Sequence, residues 1–406
     1  MRDDPVVHDY LALGLRLGRL VDGFVDCWFG DPELARQVEG EPVPRAAALV
    51  EEAQRLRARI ADTDLSATRQ LYLSAQTRAL ECSARRLAGE ELGFLTEVEC
   101  YFDASIAPGD PDRYAAVHDE IDRLLPGPGT LQSRVDAFYD ANAVPPDRLE
   151  PIVRAVSAQL RARTRAAFGL PEGERIDYRM VTDRPWNAFN RYQGDFRSEV
   201  TLNAEAGRAI GAVPLLISHE SYPGHHTEHC VKETVLVRGR GEVEHVISLV
   251  NTPQCLMAEG TAEAAVTALL GAGWGAWSQA ILAEHGVTID GPLVERMVEL
   301  VRQLLPARQD AAILLHDRGA DLDTATGYLR RWLLLPEDRA RHIAQFLADP
   351  LWRAYSVTYV EGARLVGEWL SVPGADGTVL DRYRRLLAEP LLPSALRADL
   401  DRVEVP

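Results

Sequence analysis

The chain has 406 residues and a formal net charge of −17, with 44 lysines and arginines against 61 aspartates and glutamates. This length is enough for a large buried core, in one helical superdomain or in two lobes. The acidic balance argues against nucleic acid and anionic membrane surfaces as partners, because both carry negative charge. The five cysteines are scattered, which is typical of reduced thiols in a cytoplasmic protein.

The N-terminal residues lack the basic-then-apolar pattern of a secretory signal. Arg16 and Arg19 interrupt the apolar positions that follow them. No apolar run approaches the roughly 20 residues needed to span a bilayer. We therefore expect a cytoplasmic protein that does not bind membranes.

The first part of the chain has a helical pattern. Apolar residues from Val6 to about Leu170 recur at spacings of three and four, and clusters of proline and glycine divide them into hairpins. We predict an N-terminal helical lobe over residues 1–170 that serves as a scaffold. A catalytic, metal-binding lobe over residues 171–406 would continue it as one superdomain.

The helical period is lost between Ile176 and Asn203. Aromatic and β-branched residues there, including the run from Trp186 to Tyr192, predict two or three short strands. Pro214 then opens a helix at a first-turn position, where the missing N–H of proline does no harm. The sequence thus predicts a mainly α fold, with a small antiparallel β-sheet directly before the helix that carries a histidine motif.

That motif has an unusual density of metal-binding groups. Residues 219–226 read HESYPGHH, which places three imidazoles and a carboxylate close together. Neutral imidazole is the commonest side-chain ligand for zinc, and a glutamate beside the first histidine is the usual general base of a zinc hydrolase. We therefore expect His219 to bind a metal ion and Glu220 to act as the general base.

The spacing of these histidines requires a break in the helix. In the common HExxH motif the second histidine stands four residues after the first, but Pro223 occupies that position here. Proline clashes with the preceding turn, so the helix should kink or end, and Gly224 lets the backbone turn freely. A later histidine can then swing back over the first turn. We favour His225, with His226 as the alternative.

A third ligand should come from another helix, because a catalytic zinc takes three protein ligands and leaves a fourth position for water. Glu259 and Glu263 are four residues apart in a small, alanine-rich segment, so both can face the site. We favour Glu259 as the ligand, with the other glutamate orienting a histidine. Zinc is the expected ion, while iron or manganese would accept the same ligands.

These residues resemble the bacterial family of domain of unknown function 885, which is grouped with neurolysin-like and Taq-carboxypeptidase-like zinc peptidases. The family motif H-E-x-x-P-G-H-H matches residues 219–226, and the later motif E-G-W-A matches residues 259–262 in part. The family also has R-x-D with a later L-H pair, which residues 308–316 resemble, and a final Y-x-x-G, which residues 359–362 resemble. The resemblance covers about residues 175–370 and implies a metallohydrolase fold. Thr261 stands where the family has an aromatic residue, and the chain is shorter than typical members.

The resemblance also implies roles for a tyrosine and a strand. In neurolysin-like relatives a tyrosine-rich helix leans over the zinc and donates hydrogen bonds to the oxyanion, which implies this role for Tyr359 or Tyr355. Such donors are worth about 3 to 4 kcal/mol in other enzymes. An edge strand before the metal helix would hold an extended substrate by main-chain pairing. Arg353 and His316 are weaker candidates for binding a substrate carboxylate or supporting the site.

We predict a zinc-dependent hydrolase that cleaves a peptide or amide bond in a small molecule or short peptide. His219, His225 and Glu259 would hold the ion, and Glu220 would take a proton from the water that the ion acidifies. Two alternatives stay open. A metal-dependent enzyme of specialised metabolism would act on a non-peptide substrate, which the altered segment after Glu259 favours. A non-catalytic relative would keep the fold as a binding protein.

Overall fold

The computed structural model describes residues 4–182, 187–204, 213–372 and 377–404. The helices are α1 (Pro5–Gly18), α2 (Pro32–Gly40), α3 (Ala46–Ile60), α4 (Ala67–Leu87), α5 (Phe94–Phe102), α6 (Pro111–Leu124), α7 (Leu131–Ala141), α8 (Pro146–Phe168), α9 (Val213–Glu220), α10 (His225–Lys232), α11 (Pro253–Leu270), α12 (Trp274–Glu284), α13 (Gly291–Leu304), α14 (Pro306–His316), α15 (Leu322–Leu333), α16 (Glu337–Ala348), α17 (Ala363–Ser371), α18 (Val379–Ala388) and α19 (Pro393–Glu404). The strands are β1 (Val25–Trp28), β2 (Arg175–Val181), β3 (Ala188–Tyr192), β4 (Arg197–Asn203) and β5 (Ile247–Leu249). A π-helical segment over Glu233–Arg240 extends α10, and another over Thr358–Gly362 leads into α17. The mainly α fold is confirmed.

Side chains at the helix starts explain where several helices begin. Asp4, Asp31 and Asp110 each accept a hydrogen bond from a backbone N–H of the first turn, and each stands directly before a proline. Thr252 does the same for α11, where it accepts from the N–H of Cys255. Each cap satisfies a donor that has no partner inside the helix and is worth about 1 kcal/mol.

The predicted sheet before the histidine motif is present, but its pairing differs from the prediction. The strand order is β2-β4-β3, with β3 antiparallel to β4 and β2 parallel to it. Val200 of β4 lies between Tyr178 of β2 and Asn190 of β3. Because each strand runs opposite to the one before it in the chain, β2 and β4 run in the same direction. They are neighbours because β4 is the central strand. The sheet is therefore mixed rather than antiparallel. Trp186 lies outside the described residues.

A second correction concerns the N-terminal region, which is not helical throughout. Strand β1 pairs antiparallel with β5, and Trp28 lies opposite Ile247. The pairing joins residues near the start of the chain to the segment between α10 and α11. It brings the N-terminal region to the wall of the site described below.

Helix α11 runs through the largest hydrophobic core. Leu256, Met257, Ala265 and Val266 are buried there among apolar side chains of several helices. A helix that is apolar around most of its circumference is typical of a protein interior, so the acidic residues on α11 stand on a helix that is anchored in the core. Within the described residues no single helix is long and apolar enough to cross a bilayer, and α11 with α12, which pass that test only as a pair, are bent by 83°.

Candidate metal centre

The chain reverses sharply between α9 and α10. Helix α9 ends at Glu220, before Pro223, which confirms the predicted break, and α10 starts at His225. The N–H of Gly224 donates to the carbonyl of Ser218 at 2.9 Å. A Cβ on Gly224 would lie 2.0 Å from the carbonyl oxygen of His219, so only glycine fits this turn.

The reversal brings two imidazoles together beside a carboxylate of α11. The rings of His219 and His225 have centroids 4.7 Å apart and are almost perpendicular, at 89°. One ligand atom from each of His219, His225 and Glu259 lies within 4.8 Å of the other two. Glu259 places Oε2 3.2 Å from Nε2 of His219, and Oε1 3.7 Å from Nε2 of His225.

The carboxylate of Glu259 is buried and only half satisfied. Its Oε1 accepts a hydrogen bond from the hydroxyl of Tyr355 at 2.9 Å, while Oε2 has no hydrogen-bond partner in the described part of the chain. An unsatisfied buried carboxylate oxygen 3.2 Å from Nε2 of His219, in a group whose other oxygen faces Nε2 of His225, fits a cation held between these side chains. Burial alone would raise the pKa of Glu259, but His219 and the other neighbours outweigh it and lower that pKa.

The second glutamate of α11 orients the first histidine. Oε1 of Glu263 lies 3.4 Å from Nδ1 of His219, on the side of the ring that faces away from Glu259. Arg302 donates to the backbone carbonyl of Glu263 at 3.0 Å and lies 3.4 Å from its carboxylate. Burial opposes the charge on Glu263, but contact with His219 lowers the pKa of this carboxyl to about 2. Such a partner fixes the ring and the tautomer of a metal-binding histidine.

The alternative ligand, His226, points away from this group. Its Nδ1 lies 2.8 Å from the hydroxyl of Ser198, and its Nε2 lies 3.2 Å from Oε2 of Glu174. The side chain is fully buried where α10 packs against the sheet. His226 therefore holds the turn in place, and His225 is the histidine that lies beside His219.

Glu220 lies next to the histidine pair and also lines the cavity. Burial raises the pKa of its carboxyl and outweighs the nearby imidazoles of His219 and His225, which lower it. The backbone carbonyl of Glu220 accepts a hydrogen bond from the side-chain amide of Asn190 on β3, at 2.5 Å. The sheet thereby fixes the end of α9.

The two tyrosines occupy different positions. Tyr355 lies in a turn and Tyr359 lies in the π-helical segment that leads into α17, so the two are not on one regular α-helix. Their rings still meet, with centroids 5.5 Å apart. Both line the cavity, but Tyr355 donates its hydroxyl proton to Glu259. Burial raises the pKa of both phenols well above the usual value, so both remain protonated.

Asp26 is a site residue that the sequence analysis missed. It lies on β1 and lines the same cavity. Burial raises the pKa of its carboxyl to about 6, His225 opposes the rise, and Glu259 and Glu220 add to it. The only local signal was the short run of strand-forming residues around Asp26, which the surrounding helical pattern obscured.

The cavity itself has a volume of about 110 Å³, below the roughly 300 to 1,000 Å³ of common ligand pockets. Its lining includes polar residues beyond those expected from the motif: Asp26, Asn190, Glu228, His229, Lys232, His245, Ser248, Gln254 and Cys255. Arg353 and His316, the weaker candidates for binding a substrate carboxylate, do not line this cavity. Arg353 forms an ion pair with Glu97, and His316 contacts the carbonyl of Leu347 at 2.7 Å.

Comparison with known proteins finds structures of similar fold but no matching family. Neither a protein-family model nor a curated protein sequence matches the chain. A solved structure of a candidate lipoprotein from Colwellia psychrerythraea is similar, with a TM-score of 0.53 and 14% identity over 92% of this chain and 70% of that one. A candidate lipoprotein of unknown function from Shewanella oneidensis gives 0.50 and 12% over 91% and 76%. At such identities the likeness concerns the fold alone.

Proposed function

We propose that the chain is a metal-dependent hydrolase that cleaves a peptide or amide bond in a small substrate. One observation carries the proposal: ligand atoms of His219, His225 and Glu259 lie within 4.8 Å of one another, and Oε2 of Glu259 has no hydrogen-bond partner among the described residues. Two imidazoles and a carboxylate are the ligand set of several zinc peptidases. Zinc is the preferred ion, and iron or manganese would accept the same donors.

The residues around this group support hydrolysis. When bound, a divalent ion supplies Lewis-acid polarisation of a carbonyl and lowers the pKa of a water molecule. Glu220 would accept a proton from a water molecule in the cavity and deliver it to the leaving amine. Its burial favours this role, because a raised carboxyl pKa makes proton return easier. Tyr359 donates its phenolic hydrogen to the oxygen on which negative charge develops.

The shape of the cavity supports a small substrate. Its volume is about 110 Å³, and one wall is formed by Ala188, Phe189 and Asn190 of β3. Strand β3 lies at an edge of its sheet, where an extended substrate can pair through main-chain hydrogen bonds. Acylated amino acids and dipeptides are therefore the substrates to test first.

The test is hydrolysis of N-acetylated amino acids and dipeptides, followed by release of free amine. We expect turnover that a chelator abolishes and added zinc restores. Glu220→Gln should lose at least about 100-fold in kcat, in line with general-base catalysis. Glu284→Gln is the matched control, because Glu284 is exposed at the end of α12. Turnover that survives chelation, or a Glu220→Gln variant as active as the control, would contradict the proposal.

A further inference from the structure

Lys232 is the only lysine among the 44 lysines and arginines of the chain. Its side chain is 11% exposed and lines the cavity that contains His219 and Glu259. No arginine lines that cavity among the residues that the structure describes. The lysine therefore supplies the positive side chain of a cavity otherwise rich in carboxylates.

Lys232 belongs to a polar face of α10 that begins at the candidate metal ligand. Positions 225, 228, 229 and 232 follow the i, i+3, i+4, i+7 pattern of one helix face, and all four line the cavity. At 1.5 Å per residue, Lys232 lies roughly 10 Å along the helix axis from His225. The cavity thus has a reactive end at His225 and a second polar end at Lys232.

Two imidazoles at the second end have unused hydrogen-bonding capacity. His229 stacks on Tyr192, with centroids 4.7 Å apart, and neither of its ring nitrogens makes a hydrogen bond within the described ranges. His245 is buried, and its Nδ1 has no hydrogen-bond partner there either. Burial lowers the pKa of both imidazoles well below the usual value, so they are neutral and each offers one N–H donor.

We propose that Lys232, His229 and His245 form a subsite that binds a carboxylate of the substrate. The inference rests on the proposed function, because it places the scissile bond at the His219 end of the same cavity. An ammonium group has three N–H donors, and Glu228 takes one of them in an ion pair. The remaining donors and the imidazole N–H groups match the oxygens of a carboxylate.

The chemistry of the subsite favours a carboxylate over a phosphate. A phosphate group carries up to two charges and three acceptor oxygens, and proteins usually meet it with arginine forks or several backbone N–H groups. Here a single ammonium is partly neutralised by the buried Glu228. One negative charge with two oxygens is the better match. The substrate class is then an N-acyl amino acid or a dipeptide with a free acidic group.

The first test is calorimetric titration of the protein with N-acetylglycine and, as a neutral analogue, N-acetylglycinamide. We expect Lys232→Met to weaken binding of the acid by about tenfold or more, with little change for the amide. Lys232→Met leaves Glu228 buried without its cation, so the double variant Glu228→Gln/Lys232→Met should accompany it. Glu228→Gln alone should bind the acid more tightly, because it frees the ammonium. Equal affinity for acid and amide in the wild type would overturn the subsite.

A second test uses the uniqueness of the lysine. Acetylation with an activated acetate ester modifies Lys232 and the N-terminal amine, and mass spectrometry separates the two. N-acetylglycine should slow acetylation of Lys232 without affecting the N-terminus, whereas equal rates with and without N-acetylglycine would contradict the subsite.

The two proposals can fail separately. Both tests can be run on metal-free protein. If the chain binds N-acetylglycine but never holds metal or shows turnover, the subsite is supported and the hydrolase proposal is contradicted. Conversely, a zinc-loaded, active protein that binds the acid and the amide equally would support the hydrolase proposal and contradict the subsite.

Discussion

Gly260 of α11 faces Gly362 so closely that a Cβ on Gly260 would lie 2.4 Å from the carbonyl oxygen of Gly362. A Cβ on Gly362 would in turn lie 2.6 Å from the carbonyl of Leu256. Gly260 directly follows Glu259 within α11, and Gly362 ends the π-helical segment that carries Tyr359. Their contact is therefore what allows the π-helical segment to bring Tyr359 to the cavity.

Gly260→Ala should destabilise the protein by about 1 to 3 kcal/mol, because the added methyl group forces two backbones apart. Gly327→Ala is the control, since a Cβ on Gly327 meets nothing within 4 Å and alanine favours a helix. Urea denaturation followed by circular dichroism measures both. Equal stability of Gly260→Ala and Gly327→Ala would contradict the close approach of α11 to the π-helical segment.

Glu263→Gln should weaken metal binding by about 10- to 100-fold, because it removes the carboxylate that orients Nδ1 of His219. Competition with a coloured chelator measures the affinity. Glu284→Gln, at an exposed position, should bind metal like the wild type. An unchanged affinity in Glu263→Gln would show that the contact with His219 has no role in holding the ion.

The two tyrosines should differ in their effects. Tyr359→Phe should lower kcat by about 100- to 1,000-fold with unchanged metal affinity, because the proposed function assigns its hydroxyl to the developing oxyanion. Tyr355→Phe should instead lower metal affinity, because its hydroxyl donates to Oε1 of Glu259 at 2.9 Å. Steady-state kinetics on zinc-loaded protein and the chelator assay separate these effects. If Tyr355→Phe lost kcat and Tyr359→Phe lost metal affinity, the two roles would be assigned to the wrong tyrosines.

A buried carboxylate supports the turn that carries the histidines. Glu174 accepts hydrogen bonds from the hydroxyl of Tyr222 at 2.6 Å and from Arg161 at 2.6 Å, and it lies 3.2 Å from Nε2 of His226. Burial alone would raise the pKa of Glu174, but the hydrogen bonds from these three side chains lower it to about 2. The ionised form is therefore the one that stabilises the fold.

Glu174→Gln should destabilise the protein at neutral pH, and the difference from the wild type should shrink in acid. The folded pKa of about 2 lies below the unfolded value of 4.5, so the stabilisation is fully present above pH 4.5 and is lost as the pH falls toward 2. Urea midpoints of both proteins between pH 7 and pH 3 measure this. A difference that stays constant with pH would mean that the charge of Glu174 is not involved.

The local features of the site could be predicted from the sequence because they depend on neighbouring residues. Pro223 ends α9 through its ring and its missing N–H, and Gly224 permits the reversal. The spacing of four residues put Glu259 and Glu263 on one face of α11. The choice between His225 and His226 needed the structure, because it depends on the distant partners of His226.

Long-range pairing explains what the sequence did not reveal. Asp26 reaches the cavity only because β1 pairs with β5, more than 200 residues later in the chain. The parallel pairing of β2 with β4 depends on the central position of β4, which no local pattern encodes. His245 likewise enters the cavity from the turn before β5.

Metal content of the purified protein tests the central claim most directly. Mass spectrometry of wild type, His219→Ala and Glu220→Gln should find about one zinc per chain in the wild type and in Glu220→Gln, and almost none in His219→Ala, because the proposal makes His219 a ligand and Glu220 a base. A protein that holds no metal even after reconstitution, or a His219→Ala variant that retains the full amount, would contradict a metal centre at His219, His225 and Glu259.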